Sequence, residues 1–257
     1  VHFSAQPGTP RHRRVPVQGT IALAAAAFPL AIALSLAAVP LVAASPPASA
    51  ATVSVATVIK EAKAAIAKQT SAHLEFDAGA KASTAKEKIV ADVGVSSGME
   101  TVTDASAVLH VTVTPKNGYI SGTASGLTSL FGMTTAEATK VGTRWEFWKS
   151  GTTQYKDLKS VVTVNSLLSL LPKAAGTTVS TQGANYVLKW TSAASGSTPM
   201  LNNTLSIVAK GSNLPVKETS TDAAGEKVMT TISKWGESVV VNAPAAGSSV
   251  AASKITG

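Results

Sequence analysis

The chain contains no cysteine, which excludes a disulfide framework and thiolate chemistry together. Aromatic residues are scarce at 5% and charged residues at 14%, while apolar residues reach 45%. That balance suits a secreted globular domain behind an apolar leader better than a disordered polymer. Arginine is nearly absent beyond Arg11, Arg13 and Arg14. Only Arg144 remains, and the other cations are lysines scattered along the chain. Without guanidinium forks for phosphates and base edges, nucleic-acid binding is not expected.

Catalytic patterns are missing as well. No G-x-S-x-G occurs, since GTASG has the wrong spacing, and there is no phosphate loop of the P-loop or dinucleotide type. Past residue 50 the only histidines are His73 and His110, each on the polar side of an expected strand. His73, Glu75 and Asp77 share one strand face, a spacing that offers a metal two ligands but that ordinary polar patterning also produces. Trp145, Phe147 and Trp148 would serve either as a sugar-stacking platform or, more simply, as strand-edge packing. No enzyme, cofactor or metal follows from these residues.

What is present begins with a leader. The basic residues His12 to Arg14 precede Thr20 to Ala44, a run without one charge, and the stretch ends in Ala48-Ser49-Ala50. This reads as a secretory signal cut after Ala50, with residues 1–50 removed. The run is also long enough to span a bilayer, which takes about 20 residues, so an uncut leader would act as an anchor. Removing it leaves 19 cations against 14 anions, a net +5. That excess permits weak attraction to an anionic membrane surface or wall.

The next segment, TVSVATVIKEAKAAIAKQ, carries Val55, Val58, Ile59, Ala62 and Ile66 at helical spacing, an amphipathic helix of about four turns. The period then becomes two. Ala72, Leu74, Phe76 and Ala78 share one face; Ile89, Ala91, Val93 and Val95 line up, as do Leu109, Val111 and Val113. Gly98, Asp104 and Pro115 to Gly118 are expected as turns. A short helix is expected in TTAEATKV, an aromatic strand in RWEFWK, and a second apolar helix in LKSVVTVNSLLSLLPK, with Asn165 as N-cap and Pro172 as stop. Strands return in YVLKWTS, TLSIVAKG, LPVKETSTD, EKVMTTISKWG and SVVVNAP. In EKVMTTISKWG, Trp235 has the parity opposite to Ile232, so it leaves the apolar set unless a bulge, which Gly236 would permit, intervenes. Residues 245–257 are expected to be a disordered tail. Consecutive one-faced strands with segregated helices imply one α+β domain over 51–244, a large curved antiparallel sheet with helices on one face.

The helix followed by SAHLEFDAG, the segment PKNGYISGTASGLTSLFGM, the helix SLLSLLP and the ending NLPVKETSTDAAGEKVMTTISKWGESVVVNAP resemble the actinobacterial LppX/LprG type of secreted lipoprotein. That type shares a half-barrel with the carrier LolA and its partner LolB. The resemblance implies a half-barrel whose concave face is partly closed by helices, where some relatives hold lipid or lipoglycan acyl chains. Val58, Ile59, Ile66, Leu127, Leu130, Phe131, Met133, Leu167, Leu168, Leu170 and Leu171 would then face the hollow. The same residues would otherwise fill a dry core. One departure is plain: the junction VAASPPASAATVS has no lipobox cysteine, so a lipid anchor is not expected. Two functions stay open, a monomeric, non-catalytic envelope carrier of a lipid or lipid-linked glycan, and an envelope scaffold with a closed, empty core.

Overall fold

A computed structural model describes residues 53–79, 87–194, 200–245 and 247–255. The leader expected over residues 1–50 lies outside the described residues. Helix α1 (Val55–Ile66) starts at Ser54, whose hydroxyl accepts from the Thr57 amide at 3.1 Å, and it buries Val58, Ile59, Ala62 and Ile66. Twelve strands follow: β1 (Ser71–Gly79), β2 (Glu87–Gly94), β3 (Gly98–Asp104), β4 (Ala107–Val113), β5 (Asn117–Gly122), β6 (Trp145–Lys149), β7 (Thr178–Gln182), β8 (Asn185–Ser192), β9 (Leu201–Val208), β10 (Pro215–Thr221), β11 (Lys227–Ser233) and β12 (Ser249–Ala251). Between β5 and β6 lie a π-helical turn (Gly126–Leu130) and α2 (Thr135–Val141); between β6 and β7 lie α3 (Thr153–Val161) and a 3₁₀ stretch (Val164–Leu170). Helix α4 (Ala252–Ile255) ends the described chain.

All twelve strands form one sheet in the order β12-β6-β5-β4-β3-β2-β1-β11-β10-β9-β8-β7, antiparallel except for the β12–β6 pair. The expected α+β architecture is the observed one, a large open sheet with a few helices. Cross-strand register assigns every strand residue to a face. Ile120, Val111, Ala91, Leu74 and Ile232 lie in one row, and Val102, Ile89, Phe76, Thr230, Glu218, Leu205 and Leu188 in the next. This inner face carries all the helical segments. They close it in three clusters: the π-helical turn, α2, α3 and α4 over β3 to β6 and β12; the 3₁₀ stretch over β1, β2 and β11; α1 over β8 and β9.

Several sequence expectations need correction. Gly98 and Asp104 are not turns but the ends of β3. Gly98 sits there because a Cβ would stand 2.0 Å from the Val162 carbonyl oxygen, so only glycine lets the segment after α3 lie against the sheet. The helix expected from Asn165 to Pro172 is a 3₁₀ stretch, inside which Asn165 falls, and α3, capped by the Thr152 hydroxyl, precedes it. The β-branched run Val161 to Val164 disfavours continuous α-helix between them. SVVVNAP pairs with nothing: both sides of β11 are taken by β1 and β10, so the chain leaving it finds no free edge. Val95 lies beyond β2 and is 59% exposed. The tail, expected to be disordered, forms β12 and α4, and buries Val250 and Ile255 against β6 and its neighbours.

Candidate functional site

The ten residues expected to line a hollow, Leu170 beside them, do not share one. Leu127, Leu130, Phe131 and Met133 join Leu109, Val111 and Ile120 in the first cluster. Ile66, Leu167, Leu168 and Leu171 pack with Ala72, Val93 and Ile232 in the second. Val58 and Ile59 pack on Leu188, Leu205 and Ile207 in the third, which Leu171 also touches. Ile66 and Leu127 are wholly buried, and Leu167 is 2% exposed. Seven of them are buried, Val58, Ile59, Ile66, Leu127, Phe131, Met133 and Leu167, while Leu130, Leu168, Leu170 and Leu171 are partly exposed at the cluster margins.

Between the clusters runs a strip of the inner face that is itself buried, with Phe76 and Thr230 3% exposed and Val228 8%. Ala78 and Val228, then Phe76 and Thr230, form its floor on β1 and β11, and none of these four belongs to a cluster. Along the flank on β2 and β3 stand Glu87, Asp104 and Glu100; along the flank on β10 stand Glu218 and Ser220. A register shift between Pro215 and Lys217 turns Glu218 inward, beside Thr230. With strands about 4.8 Å apart, the flanks on β3 and β10 lie about 19 Å from each other along the sheet.

Among the described strand residues, the charged positions of the inner face are one-signed. Inner-face strand positions hold Glu87, Glu100, Asp104, Glu146 and Glu218, whereas Lys88, Lys149, Lys189, Lys217 and Lys227 all fall on the outer face. Burial pushes the Glu218 carboxyl up to about 7. Burial, with the Glu87 carboxylate adding to it, does the same to Glu100, also to about 7. Glu87 is raised by its own burial and then by Asp104. Among the described residues neither Glu100 nor Glu218 has a hydrogen-bond or ion-pair partner, and the Thr230 hydroxyl, on a residue 3% exposed, has none either. Ser220 is different: its hydroxyl donates to Asn203 Oδ1 at 2.7 Å. Sequence reading missed β3 because it took Gly98 and Asp104 for turns; the shared parity of Glu100, Val102 and Asp104 is the signal that would have found it.

The outer face is polar and satisfied. His73 Nδ1 lies 2.7 Å from Asp92 Oδ1, and its Nε2 lies 3.5 Å from Glu75 Oε1, so the imidazole is held by carboxylates on both sides. His110 Nδ1 lies 3.1 Å from the Thr101 hydroxyl, and its ring faces Trp145 at 6.3 Å. Among the described residues no group of three His, Asp or Glu side chains is arranged to hold a metal. Residues 237–240 cross this end of the sheet and enclose a concavity of about 160 Å³ against His73, Asp92 and Met99. A neighbouring one of about 240 Å³ is lined by Ser71, residues 94–97 and residues 237–239. Neither touches any of the ten apolar residues. Trp235 does join the apolar side: Lys234 (φ 51°) and Gly236 (φ 77°) bend the chain, so the indole packs on the second cluster while its Nε1 donates to the Pro215 carbonyl at 3.0 Å.

No protein-family model and no curated protein matches the chain. Solved structures do. It is similar to LprF from Mycobacterium bovis, at 15% identity over 74% of this chain and 97% of that one, with a TM-score of 0.47. It is similar to the Mycobacterium tuberculosis lipoprotein LppX, at 20% identity over 73% and 98%, with a TM-score of 0.37. It is similar also to MucB in its complex with MucA(peri), at 14% identity over 75% and 57%, with a TM-score of 0.35. LppX gives its name to the type that the sequence resembles. At these identities the likeness concerns the fold alone, and no site residue is carried over from it.

Proposed function

We propose that the chain acts outside the cytoplasmic membrane as a non-catalytic carrier, seating a lipid or lipid-linked glycan on the inner face of its sheet. The observation that supports this is the strip between the clusters. Helical segments cover the inner face on both sides of it; Phe76 and Val228 form an apolar row there that is 3% and 8% exposed in the unliganded chain, so a ligand would displace what covers it, and the Glu100 and Glu218 carboxyls beside it lack partners among the described residues. Apolar floor suits an acyl chain because burial contributes roughly 25 cal/mol per Å² without directional demands. The seat is thus moved from the eleven apolar residues of the clusters to the strip between them. Among the described residues no helix is long and apolar enough to cross a membrane; placement outside the membrane rests on the leader.

Native mass spectrometry of the protein from an actinobacterial host tests the reading. A bound mass in the lipid range supports it, as does uptake of a fluorescent fatty-acyl probe that Val228→Trp abolishes while the circular dichroism of the sheet stays unchanged. Absence of both refutes it and leaves the second reading, a closed scaffold. That reading is favoured by the burial of Val58, Ile59, Ile66, Leu127, Phe131, Met133 and Leu167, which were expected to line a hollow.

A further inference from the structure

We propose that β7 is a pairing edge, through which two copies of the chain join strand to strand, antiparallel, about a two-fold axis at Ser180. The inference is independent of the carrier reading and departs from the monomer expected of the sequence. The two ends of the sheet are finished differently. At one end β12 is three residues long and runs straight into α4. At the other stands β7, paired through all five of its residues with β8 in unbroken register and, among the described strands, with nothing beyond it. Thr178, Ser180, Thr181 and Gln182 are exposed. Sheet edges are ordinarily protected by lysine, proline, a bulge or a covering segment, and TVSTQ carries none of the first three.

Self-complementarity identifies the occupant. The turn Gly183-Ala184 closes the hairpin on the Gln182–Asn185 pair. Counting back by twos, Ser180 and Thr178 bond to β8, while Val179 and Thr181 turn their N–H and C=O groups outward. Antiparallel pairing about Ser180 sets Val179 of each copy against Thr181 of the other, so the outward groups meet each other in about four hydrogen bonds. Thr178 then faces Gln182, and Ser180 faces itself; the strand holds no charge, so no like charges meet. The pairing also continues the core. Val179 lies opposite Leu188 on the inner face and is half-buried at the rim of the third cluster, and the Thr181 methyl of the second copy would extend that rim across the axis. Five paired residues cover well under the roughly 1,000 Å² of a stable interface, so the dimer is weak and forms with rising concentration.

Sedimentation equilibrium of the protein from an actinobacterial host tests the proposal. A monomer–dimer equilibrium is expected, with a dissociation constant between about 10 µM and 1 mM. Ser180→Lys sets two like charges face to face across the axis and should weaken association at least about tenfold, as should Ser180→Glu, while an equimolar mixture of the two variants should restore it. Ser180 is exposed, so the circular dichroism and urea midpoint of each variant should match wild type. Because the chain has no cysteine, any disulfide in Ser180→Cys joins two copies. Directly opposed residues of a non-hydrogen-bonded pair have Cα atoms about 4.5 Å apart, within the span of a disulfide. In a buffer of oxidised and reduced glutathione this variant should cross-link at least about tenfold faster than Thr231→Cys, whose site is exposed on the outer face of the central strand β11. A chain that stays monomeric at about 1 mM overturns the proposal and leaves the edge to a strand of another protein. Self-association that survives Ser180→Lys, a Lys and Glu mixture that stays monomeric, or equal cross-linking of the two cysteine variants also overturns it.

Discussion

Replacing Glu218 by Gln should stabilise the protein in alkali and do little in acid. In the fold its carboxyl titrates near 7 instead of an ordinary 4.5, because it stands between Leu205 and Thr230 on a face that water reaches poorly. The folded chain therefore holds this proton more tightly than the unfolded chain does. Stability from this group is whole below about pH 4.5 and is lost as pH rises through 7. At about 1.4 kcal/mol per pH unit, ionising it costs the fold about 3 kcal/mol by pH 8.5. Gln keeps the shape and never ionises. Urea unfolding at about pH 5 and pH 8.5 reads the difference: the gap between wild type and Glu218→Gln should widen by about 3 kcal/mol from the lower pH to the higher. With a slope near 2 kcal/mol per molar urea, that is a midpoint shift of about 1.5 M. Glu100→Gln should behave alike, since its carboxyl is raised to about 7 as well. A gap that stays constant across the range would show that water or a partner reaches these carboxyls in the folded chain, and the one-signed strip would lose its physical basis.

Three further outcomes bear on the architecture. Gly98→Ala should lower stability by about 2–3 kcal/mol, because the new methyl meets the Val162 carbonyl at 2.0 Å and neither backbone can give way; thermal unfolding should fall by about 5–10 °C. Ile255→Ala should cost about 2–4 kcal/mol by denaturant unfolding, since the side chain is 2% exposed in the first cluster; a disordered tail would register no change. Trp235→Phe keeps the apolar contact with the second cluster but removes the bond to the Pro215 carbonyl, for a loss of about 1 kcal/mol by the same assay.

The parts of the fold legible in the sequence are those where local pattern and tertiary role agree. Ala72, Leu74 and Phe76 alternate with His73, Glu75 and Asp77, and β1 lies where that alternation says. Thr134 and Glu137 form a capping box at the start of the expected short helix α2. The misses come from constraints that no local window contains. SVVVN has strand propensity, yet a strand needs a free edge, and β1 and β10 already occupy both sides of β11. The small-residue tail has little propensity, yet β6 offers it an edge, and three residues of parallel pairing suffice. Trp235 reached the apolar side not through a bulge at Gly236 alone but through the left-handed turn begun at Lys234. β3 was hidden by its inner-face carboxylates: with Glu100 and Asp104 flanking Val102, that face reads as a polar loop.

That last miss shows where function is to be sought. On the outer face the histidines and their neighbours are matched, His73 to Asp92 and His110 to Thr101, as expected of a solvated surface that only has to stay folded. On the inner face the apolar positions form three filled clusters, which also only have to stay folded. Glu100, Glu218 and Thr230 do neither. An aliphatic residue at 218, next to Leu205, would extend the third cluster across β10 and remove the cost of a buried carboxyl, so stability alone favours leucine there over glutamate. Places where a chain departs from what its own packing prefers are where a second requirement acts on it. Here three such departures lie on one face of the sheet, two of them in a single row, and all carry groups that a ligand could complete. The apolar residues that first suggested a hollow pack into the three clusters, and the polar groups left among them, Glu100, Glu218 and Thr230, are the reason to look for a ligand on this face.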